Sequence, residues 1–367
     1  MKKILYIVST LKRSGPTNQL SYIIKYLDKS KFEPMVLTLS SELKEDSMKS
    51  YFEDVLNVKV QTLRLSRIQG IFKAKSKVKQ FIKENYIDLA HSQGIRADGF
   101  MSGISIPKVA TLRNYPYYDY PMKFGKLKGA LMARAHLKAI KKQSSRCVAC
   151  AKTIASEFKQ NSLDLKYIQN GVDIEKFKLL SLEEKENLKL KFSIEEGRKI
   201  FITVGSLIPR KDMTTVINGF KIYNQNSNSI LLIAGDGFEK ENLQTPADDS
   251  VVFLGNISNV VEYLQISDCF VSASLAEGLP NTVLEAMACG LPTILSDIPS
   301  HLELYDGAKG NFFKIEDSIH LSKLSKEVMQ DLTSHKNISL QLIKDNFSAK
   351  AMSEKYQNFY MEKLNEK

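Results

Sequence analysis

Two glutamates eight residues apart, Glu277 and Glu285, are the residues whose types and spacing most clearly suggest chemistry. Glu277 ends a loop after an apolar strand pattern. Glu285 lies in a helical pattern that Pro280 can open, because the first helical residue needs no N–H. Free N–H groups at that helix start attract anions, and a carboxylate accepts hydrogen bonds from paired sugar hydroxyls. The segment predicts a site for a phosphorylated sugar; the alternative is that Glu277 caps the helix and Glu285 is solvated.

Three more glycine-containing turns follow predicted strands, where open parallel sheets bind their ligands. They lie at residues 14–17, 205–211 and 235–237. None has the G-x-G-x-x-G pattern of dinucleotide-binding domains or the P-loop pattern, which argues against NAD and ATP. Each turn alone is a common structural feature, but four turns in two adjacent halves indicate a nucleotide in a cleft between two domains.

The elements that must position these turns alternate between short apolar runs and amphipathic helical patterns. Strands are predicted at residues 4–9, 34–39, 58–63, 87–91, 109–112 and 146–149, and again at 200–204, 229–234, 251–254, 269–272 and 293–295. The clearest helices are predicted at 18–27, 68–83, 124–141, 213–223, 260–266 and 282–288. This alternation over 367 residues predicts an α/β protein with two Rossmann-like, doubly wound parallel-sheet domains in tandem.

The sequence resembles retaining glycosyltransferases of family 4, which have the two-domain GT-B fold. EGLPNTVLEAMACGLP at 277–292 resembles the E-x7-E motif of that family, and IQNGVD at 168–173 with Phe177 resembles its interdomain motif. VGSLIPRK at 204–211 looks like its phosphate loop, and the segments at 232–237, 252–255 and 267–274 fit in order. The resemblance implies an acceptor domain at 1–170, on which a last helix at about 348–367 packs, and a donor domain at 171–347.

The resemblance also implies roles for residues of the second domain. Glu285 would hold the ribose of the donor nucleotide, and Glu277 would hold the donor sugar near C3 and C4. Lys211 would contact the diphosphate, and Arg210 would supply the charge of the arginine that the family has where this chain has Ser206. The other donor-binding residues would be Gly205 and the backbone of Gly278, Leu279, Pro280, Asn281 and Thr282.

In the first domain, the resemblance implies that Gly15 approaches the diphosphate closely. The family often has a functional histidine in an H-x-H motif after the strand near residue 90. Here the motif reads His91-Ser92-Gln93, so the catalytic role falls to His91, to Gln93 or to neither. Arg113 follows the next predicted strand and is, with Gln93, a candidate for contact with the acceptor.

Charge divides the chain into a basic and an acidic half. Residues 1–170 contain 31 Lys and Arg against 13 Asp and Glu, a net charge of +18, whereas residues 171–367 have a net charge of −7. Basic and apolar residues are interleaved at 64–83 and 122–142, beside an aromatic loop at 115–120, which suits an anionic membrane surface. Two ordinary surface helices are the alternative. No recognition motif points to nucleic acid.

Several absences narrow the expected function. The apolar run at the amino terminus stops at Ser9, and no later run is long enough to span a membrane. Cys147 and Cys150 have no second pair at zinc spacing and, like Cys269 and Cys289, predict buried thiols. The sequence contains no D-x-D, so we expect a reaction that needs no metal or other cofactor. The expected location is the cytoplasm, peripheral to the inner face of the cell membrane.

The patterns and the resemblance together predict an enzyme. It would be a retaining hexosyltransferase that moves a sugar from a nucleotide-sugar donor, expected to be a UDP-sugar, to a glycan or lipid-linked acceptor. Such a reaction belongs to the synthesis of bacterial surface polysaccharides such as lipopolysaccharide or capsule. The acceptor hydroxyl would attack from the front face, since no protein nucleophile is evident. The alternatives are a two-Rossmann sugar-nucleotide epimerase, a phosphorylase, and a non-enzymatic basic membrane-binding protein.

Overall fold

The computed structural model describes residues 1–245 and 247–366, with all their side chains except those of Lys44, Arg67 and Lys123. The chain divides into two compact units. The first contains Met1–Gly171 and the last helical segment from Ala349 onward, and the second is Val172–Ser348. The division falls one residue beyond residue 170, where the sequence placed the domain boundary.

Strands of the first unit are β1 (Lys2–Val8), β2 (Phe32–Thr38), β3 (Lys59–Thr62), β4 (Leu89–Gln93), β5 (Lys108–Leu112), β6 (Cys147–Ala149) and β7 (Lys166–Tyr167). They form a parallel sheet in the order β3-β2-β1-β4-β5-β6-β7. The order reverses between β1 and β4, so the carboxyl ends of these two strands flank the switch point at which doubly wound sheets bind ligands.

Strands of the second unit are β8 (Lys199–Val204), β9 (Ser229–Ala234), β10 (Val251–Gly255), β11 (Cys269–Ser272), β12 (Thr293–Ser296) and β13 (Asn311–Phe313). They also pair in parallel, in the order β10-β9-β8-β11-β12-β13. The switch point of this sheet lies between β8 and β11. Each unit is a doubly wound parallel sheet, which confirms the predicted fold class.

The helices that connect these strands are α1 (Gly15–Lys25), α2 (Arg67–Asn85), α3 (Ile95–Met101), α4 (Pro116–Phe124), α5 (Lys126–Lys141), α6 (Lys152–Gln160), α7 (Leu182–Lys191), α8 (Met213–Asn224), α9 (Lys240–Gln244), α10 (Val260–Ile266), α11 (Asn281–Ala288), α12 (Pro299–Tyr305), α13 (Ser318–Gln330), α14 (Leu332–Asn346) and α15 (Ala349–Asn365). Single helical turns occur at Lys44–Asp46, Tyr51–Val55, Ser144–Arg146 and Pro209–Lys211. No helix within the described residues has the length and apolar composition needed to cross a bilayer.

The core of the first unit covers both faces of its sheet, because successive side chains of a strand point to opposite faces. In β1, Ile4, Tyr6 and Val8 belong to the cluster that contains the apolar residues of α1 and α15. Leu5 and Ile7 belong to the cluster that contains those of α2 and α3. The α1/α15 face and the α2/α3 face of the sheet are therefore distinct surfaces of this unit.

Three elements differ from the sequence prediction. The edge strands β7 and β13 are only two and three residues long, which is too short for a hydrophobic period to show. The run at 115–120, predicted to be a loop, lies mostly in α4, which begins at Pro116 and ends at Phe124, before the cap residue Gly125. Gly125 has a φ of 82°, which favours glycine and separates α4 from α5. The helix predicted at 124–141 is α5, which begins two residues later, at Lys126.

Candidate active site

The turns after β8 and β11 meet at the switch point of the second sheet. The Leu275 N–H donates to the Arg210 carbonyl oxygen at 2.9 Å, and Arg210 Nη1 donates to the Ala276 carbonyl oxygen at 2.5 Å. The structure thus brings the predicted phosphate loop against the loop that carries Glu277. Gly278, Leu279 and Pro280 continue this loop, and Asn281 and Thr282 are the first residues of α11.

Glu277 is held by two cations and a hydroxyl. Lys211 Nζ lies 2.5 Å from Glu277 Oε1, Arg210 Nη1 lies 3.0 Å from Oε2, and Ser274 Oγ donates to Oε1 at 3.0 Å. Burial by itself would raise the pKa of Glu277, but the charges of Lys211 and Arg210 outweigh it and lower the pKa to about 2. Glu277 is therefore ionised, and α11 has no side-chain cap, so Glu277 is not a helix cap.

Glu285 has a different environment on α11. Only 7% of its surface is exposed, so the alternative of a solvated glutamate is excluded. Burial raises the pKa of Glu285 to about 7, against a smaller lowering by Lys176. The helix begins at Asn281, one residue before the predicted range of 282–288, and Pro280 takes the cap position and not the first helical position. At neutral pH, Glu285 is therefore divided between its protonated and ionised forms, unlike Glu277.

Glycines allow the neighbouring turns to approach closely. A Cβ on Gly235, which has a φ of +148°, would lie 1.8 Å from the Gly205 carbonyl oxygen, and a Cβ on Gly237 would lie 2.2 Å from the Leu207 carbonyl oxygen. The Gly205 N–H donates to the Ala234 carbonyl oxygen at 2.9 Å. The turns after β8 and β9 are thereby locked together, and the loop that carries Lys211 is fixed in place.

A buried histidine extends the network behind Glu277. His301 Nδ1 lies 2.9 Å from the Ser296 carbonyl oxygen and 3.1 Å from Ser296 Oγ. Ser296 Oγ donates its proton to the Ser274 carbonyl oxygen at 2.6 Å, so both neighbours of Nδ1 are acceptors and Nδ1 carries the ring proton. Burial lowers the pKa of His301 to about 4. Ser274 and His301 were missed because the only sequence signal is their position after strands.

The first unit also brings predicted residues together at its switch point. Arg113 Nη2 donates to Gln93 Oε1 at 2.7 Å, and Arg113 Nη1 donates to Asn170 Oδ1 at 3.3 Å. Gln93 and Arg113 line a cavity of about 310 Å³. Gly15 is the first residue of α1, next to Ser14, which lines the same cavity. Asp98, Tyr120 and His136 also line it, and the sequence analysis missed them because two of these residues lie in segments interpreted as surface.

His91 is a predicted catalytic residue that lies within strand β4. It has no exposed surface, and its ring nitrogens lie 2.7 Å from the Tyr360 hydroxyl and 2.8 Å from Thr111 Oγ1. Burial, with a smaller contribution from Arg113, lowers the pKa of His91 to about 3. Strand β4 runs two residues past its predicted end, so His91 lies inside the strand and in the core, while Gln93 lies at the strand end.

The remaining reactive groups are possible metal ligands and cysteine thiols. Within the described residues, no group of three His, Cys, Asp or Glu side chains is placed to hold a metal ion. Cys147, Cys150, Cys269 and Cys289 are free and buried, which confirms the prediction of buried thiols.

Comparisons with known proteins identify the family. Residues 13–176 match the model described as Glycosyltransferase Family 4, and residues 184–344 match the model described as Glycosyl transferases group 1. The O-antigen biosynthesis glycosyltransferase WclY of Escherichia coli is 26% identical over 98% of both chains. The UDP-Gal:alpha-D-GlcNAc-diphosphoundecaprenol alpha-1,3-galactosyltransferase of Escherichia coli is 34% identical over 37% of each chain.

A crystal structure of Anabaena HepE in complex with UDP and glucose has a TM-score of 0.81 at 18% identity, covering 99% of this chain and 100% of that one. The fold is therefore GT-B, as expected from the resemblance. With both family models matched in order along the chain, the protein belongs to the family 4-type GT-B glycosyltransferases.

Proposed function

We propose that this glycosyltransferase moves a sugar, with retention of anomeric configuration, from a UDP-sugar to a glycan or lipid-linked acceptor during the synthesis of a bacterial surface polysaccharide. The second unit would hold the donor and the first unit the acceptor. The observation that carries the donor assignment is the cluster of Lys211, Arg210 and Glu277 at the carboxyl edge of the second sheet. The names of relatives support the pathway and the nucleotide, since one acts in O-antigen synthesis and another uses UDP-Gal.

The charge cluster suits a departing nucleoside diphosphate. Lys211 and Arg210 together carry one more positive charge than Glu277 neutralises, and they lie on one short turn. A diphosphate would compete with Glu277 for both cations, because phosphate oxygens accept charge-assisted hydrogen bonds as carboxylates do. Glu277 would then be released to accept hydrogen bonds from the sugar. Lys211 and Arg210 would offset the charge that develops on the leaving group, which is the largest electrostatic task in such a transfer.

The proposal also includes retention of the anomeric configuration and a transfer reaction that needs no metal ion. Two fixed cations beside the diphosphate position would supply the charge that a divalent ion supplies in other phosphate sites. The acceptor hydroxyl would attack from the face that the diphosphate leaves. Glu277 is engaged by Lys211 and Arg210 and is assigned to the donor sugar, so it is not proposed as a nucleophile. No cofactor is part of the proposed reaction. The matches to glycosyltransferases do not favour the epimerase or the non-enzymatic alternative.

A peripheral membrane location is proposed for the first unit. α2 and α5 both contact α3, so they share one face of the sheet. That face exposes apolar side chains beside its lysines: Ile68, Ile71 and Phe72 on α2, and Leu127 and Leu131 on α5. Exposed apolar residues among cations suit the interface of an anionic bilayer. The side chain of Lys123, which belongs to the predicted basic stretch, lies outside the described residues.

The decisive experiment measures thermal stabilisation of the purified protein by UDP-, GDP- and ADP-sugars, because a ligand of the folded state raises its apparent stability. We expect stabilisation by a UDP-sugar and by UDP, and its loss in Lys211→Ala. The matched control is Lys221→Ala, which removes a lysine from another ion pair with a carboxylate, that of Asp248. Stabilisation by no nucleotide sugar, or equal stabilisation of Lys211→Ala, contradicts the donor site. Transfer that requires an added divalent ion contradicts the metal-free reaction.

A further inference from the structure

A buried chain of four polar side chains forms part of the cavity wall in the first unit. Ser92 Oγ donates to Asp98 Oδ1 at 2.6 Å, Asp98 Oδ2 lies 3.3 Å from His136 Nε2, and His136 Nδ1 lies 2.6 Å from the Tyr120 hydroxyl. All four residues are buried. We call Ser92, Asp98, His136 and Tyr120 the polar relay. Its last three members line the cavity.

Close packing of α4 on α5 brings the end of the relay into place. A Cβ on Gly129 of α5 would lie 2.5 Å from the Pro121 Cα of α4, so only glycine permits this approach. The Tyr120 ring consequently stacks on the His136 ring, with 5.8 Å between centroids and 10° between planes. Burying a carboxylate and an imidazole is expensive compared with an apolar core of the same shape, so the relay is more than packing.

The partners along the relay determine what Tyr120 offers to a ligand. Asp98 accepts a hydrogen bond from Ser92 through one oxygen. Its other oxygen lies 3.3 Å from His136 Nε2, which has no hydrogen-bond partner among the described residues, so the carboxylate favours a proton on Nε2 through its charge and not through a hydrogen bond. In the neutral ring, Nδ1 then accepts the proton of the Tyr120 hydroxyl. Burial, and next the charge of Asp98, raise the pKa of Tyr120, so the phenol stays protonated. With its proton committed to His136, the Tyr120 oxygen can only accept a hydrogen bond.

A complementary donor lies elsewhere on the cavity wall. Gln93 Oε1 is occupied by Arg113, which fixes the amide so that Nε2 is its remaining polar group. Gln93 is only 7% exposed, and its Nε2 has no hydrogen-bond partner among the described residues. A buried amide donor without a partner is costly, and a ligand oxygen in the cavity would satisfy it. The wall thus presents one fixed acceptor and one fixed donor.

Charge and size limit what this cavity can hold. The cations that line it, Lys12 and Arg113, are matched by the carboxylates of Asp98 and Asp119, so the wall does not favour an anion. Phe124, with the Tyr120 ring, adds apolar surface. The volume of about 310 Å³ is at the lower end of the ~300–1,000 Å³ of ligand pockets. A single neutral ring with hydroxyls on its edge and an apolar face fits these limits.

We propose that this cavity binds one neutral hexopyranose unit of the acceptor, with the Tyr120 oxygen accepting a hydrogen bond from a ring hydroxyl and Gln93 Nε2 donating one to a ring oxygen. Asp98 and His136 are positioning residues that act through Tyr120. The assignment of this sugar as acceptor rests on the proposed glycosyl transfer. The binding of a neutral pyranose by the first unit does not.

The test uses saturation-transfer NMR on the full-length protein with methyl glucoside, methyl galactoside and methyl mannoside as neutral probes. Glucuronate and inorganic phosphate are the anionic probes, and UDP is added to each sample as an independent ligand. We expect at least one neutral glycoside to bind and neither anion to compete with it. Tyr120→Phe should weaken that binding roughly 3- to 10-fold. Tyr117→Phe, on the exposed part of α4, is the matched control and should bind as the parent does.

Two further variants test whether residues of the cavity wall act on glycoside binding and not only on folding. Gln93→Met keeps the side-chain length and removes the amide, and should weaken the glycoside without changing UDP binding. His136→Gln should weaken it in the parent but add nothing in a Tyr120→Phe background, because the histidine acts through Tyr120; a purely structural histidine would give additive losses.

Binding of UDP without any neutral glycoside, or preferential binding of glucuronate or phosphate, overturns this proposal and leaves the proposed transferase intact. Glycoside binding without UDP binding supports this proposal and overturns the proposed transferase. Binding of neither ligand overturns both, and unchanged affinity in both Tyr120→Phe and Gln93→Met overturns the assigned contacts.

Discussion

The carboxyl edges of the two sheets are built alike, on either side of a switch point, but differ in charge. At the edge of the second sheet, two cations converge on one carboxylate and leave a net positive charge beside the loop that begins α11. At the edge of the first sheet, Arg113 is turned towards the neutral oxygen of Gln93, and the charges of the cavity wall balance. One edge is suited to an anion and the other to a neutral, hydroxylated ring.

The two glutamates of the second unit also differ in their electrostatic environment. Glu277 and Glu285 are both largely buried, yet the pKa of Glu277 is lowered to about 2 and that of Glu285 is raised to about 7. The difference in pKa comes from Lys211 and Arg210, which contact Glu277 and not Glu285. Environment, and not residue type, therefore assigns a permanent charge to one carboxylate and a titratable one to the other.

The largest effect is expected from Lys211→Ala, which removes the closer cation of the second edge. Turnover should fall about 100- to 1000-fold, because one donor that stabilises leaving-group charge is lost. The measurement is kcat with a saturating UDP-sugar. Lys221→Ala should keep the parent kcat. A Lys211→Ala enzyme with parental kcat would show that the positive edge does not serve the departing diphosphate.

A large loss of stability, and not of turnover, is expected from His91→Ala in the first unit. The substitution leaves the buried Tyr360 and Thr111 hydroxyls without His91 as a partner and creates a cavity, so unfolding free energy should fall by about 3 kcal/mol. Urea denaturation gives this value, and kcat measured well below the melting temperature should be unchanged. The control is His320→Ala on α13, at a half-exposed position. A folded His91→Ala protein that has lost kcat would support the predicted catalytic role of His91.

The sequence was sufficient to predict the alternating sheets, because β1 to β6 and β8 to β12 have apolar runs long enough to be read. It also placed Glu277, Lys211 and Arg210 in one site by resemblance. It left the role to His91, to Gln93 or to neither, since the sequence does not show that β4 extends to Gln93 and that His91 lies within the strand. The polar relay was also beyond sequence reasoning, because the contact of Tyr120 with His136 depends on α4 folding back on α5 at Gly129.

Glu285→Gln tests the titratable carboxylate, with an intermediate effect that depends on pH. The pKa of Glu285 is raised from 4.5 to about 7, so the folded protein binds this proton more tightly than the unfolded chain does. Its destabilising contribution is absent below about pH 4.5, grows as the pH rises, and is complete above about pH 7. Glu285→Gln should therefore raise unfolding free energy by roughly 1–3 kcal/mol at pH 8 and change it little at pH 4.5.

The same variant should weaken UDP binding about tenfold, because the glutamine offers only one oxygen to the ribose hydroxyls. Calorimetric titration measures this affinity. Glu241→Gln, exposed on α9, is the control for both measurements. Weaker UDP binding without the pH-dependent gain in stability would mean that Glu285 is ionised throughout. The gain in stability without weaker binding would mean that its buried proton has nothing to do with the donor.

The smallest effect per residue is expected for membrane binding by surface lysines of the first unit. Here the comparison is between the two faces of its sheet. Lys126→Glu with Lys128→Glu should reduce binding to anionic vesicles in low salt, since each lysine near such a surface contributes about 1 kcal/mol, screened over about 8–10 Å. Lys350→Glu with Lys355→Glu makes the same charge change on α15, which packs on the other face of the sheet. Vesicle co-sedimentation should separate the two pairs, with UDP affinity unchanged in both. Equal losses would show that net charge alone drives binding, and no binding by the parent protein would assign its basic face to a soluble partner.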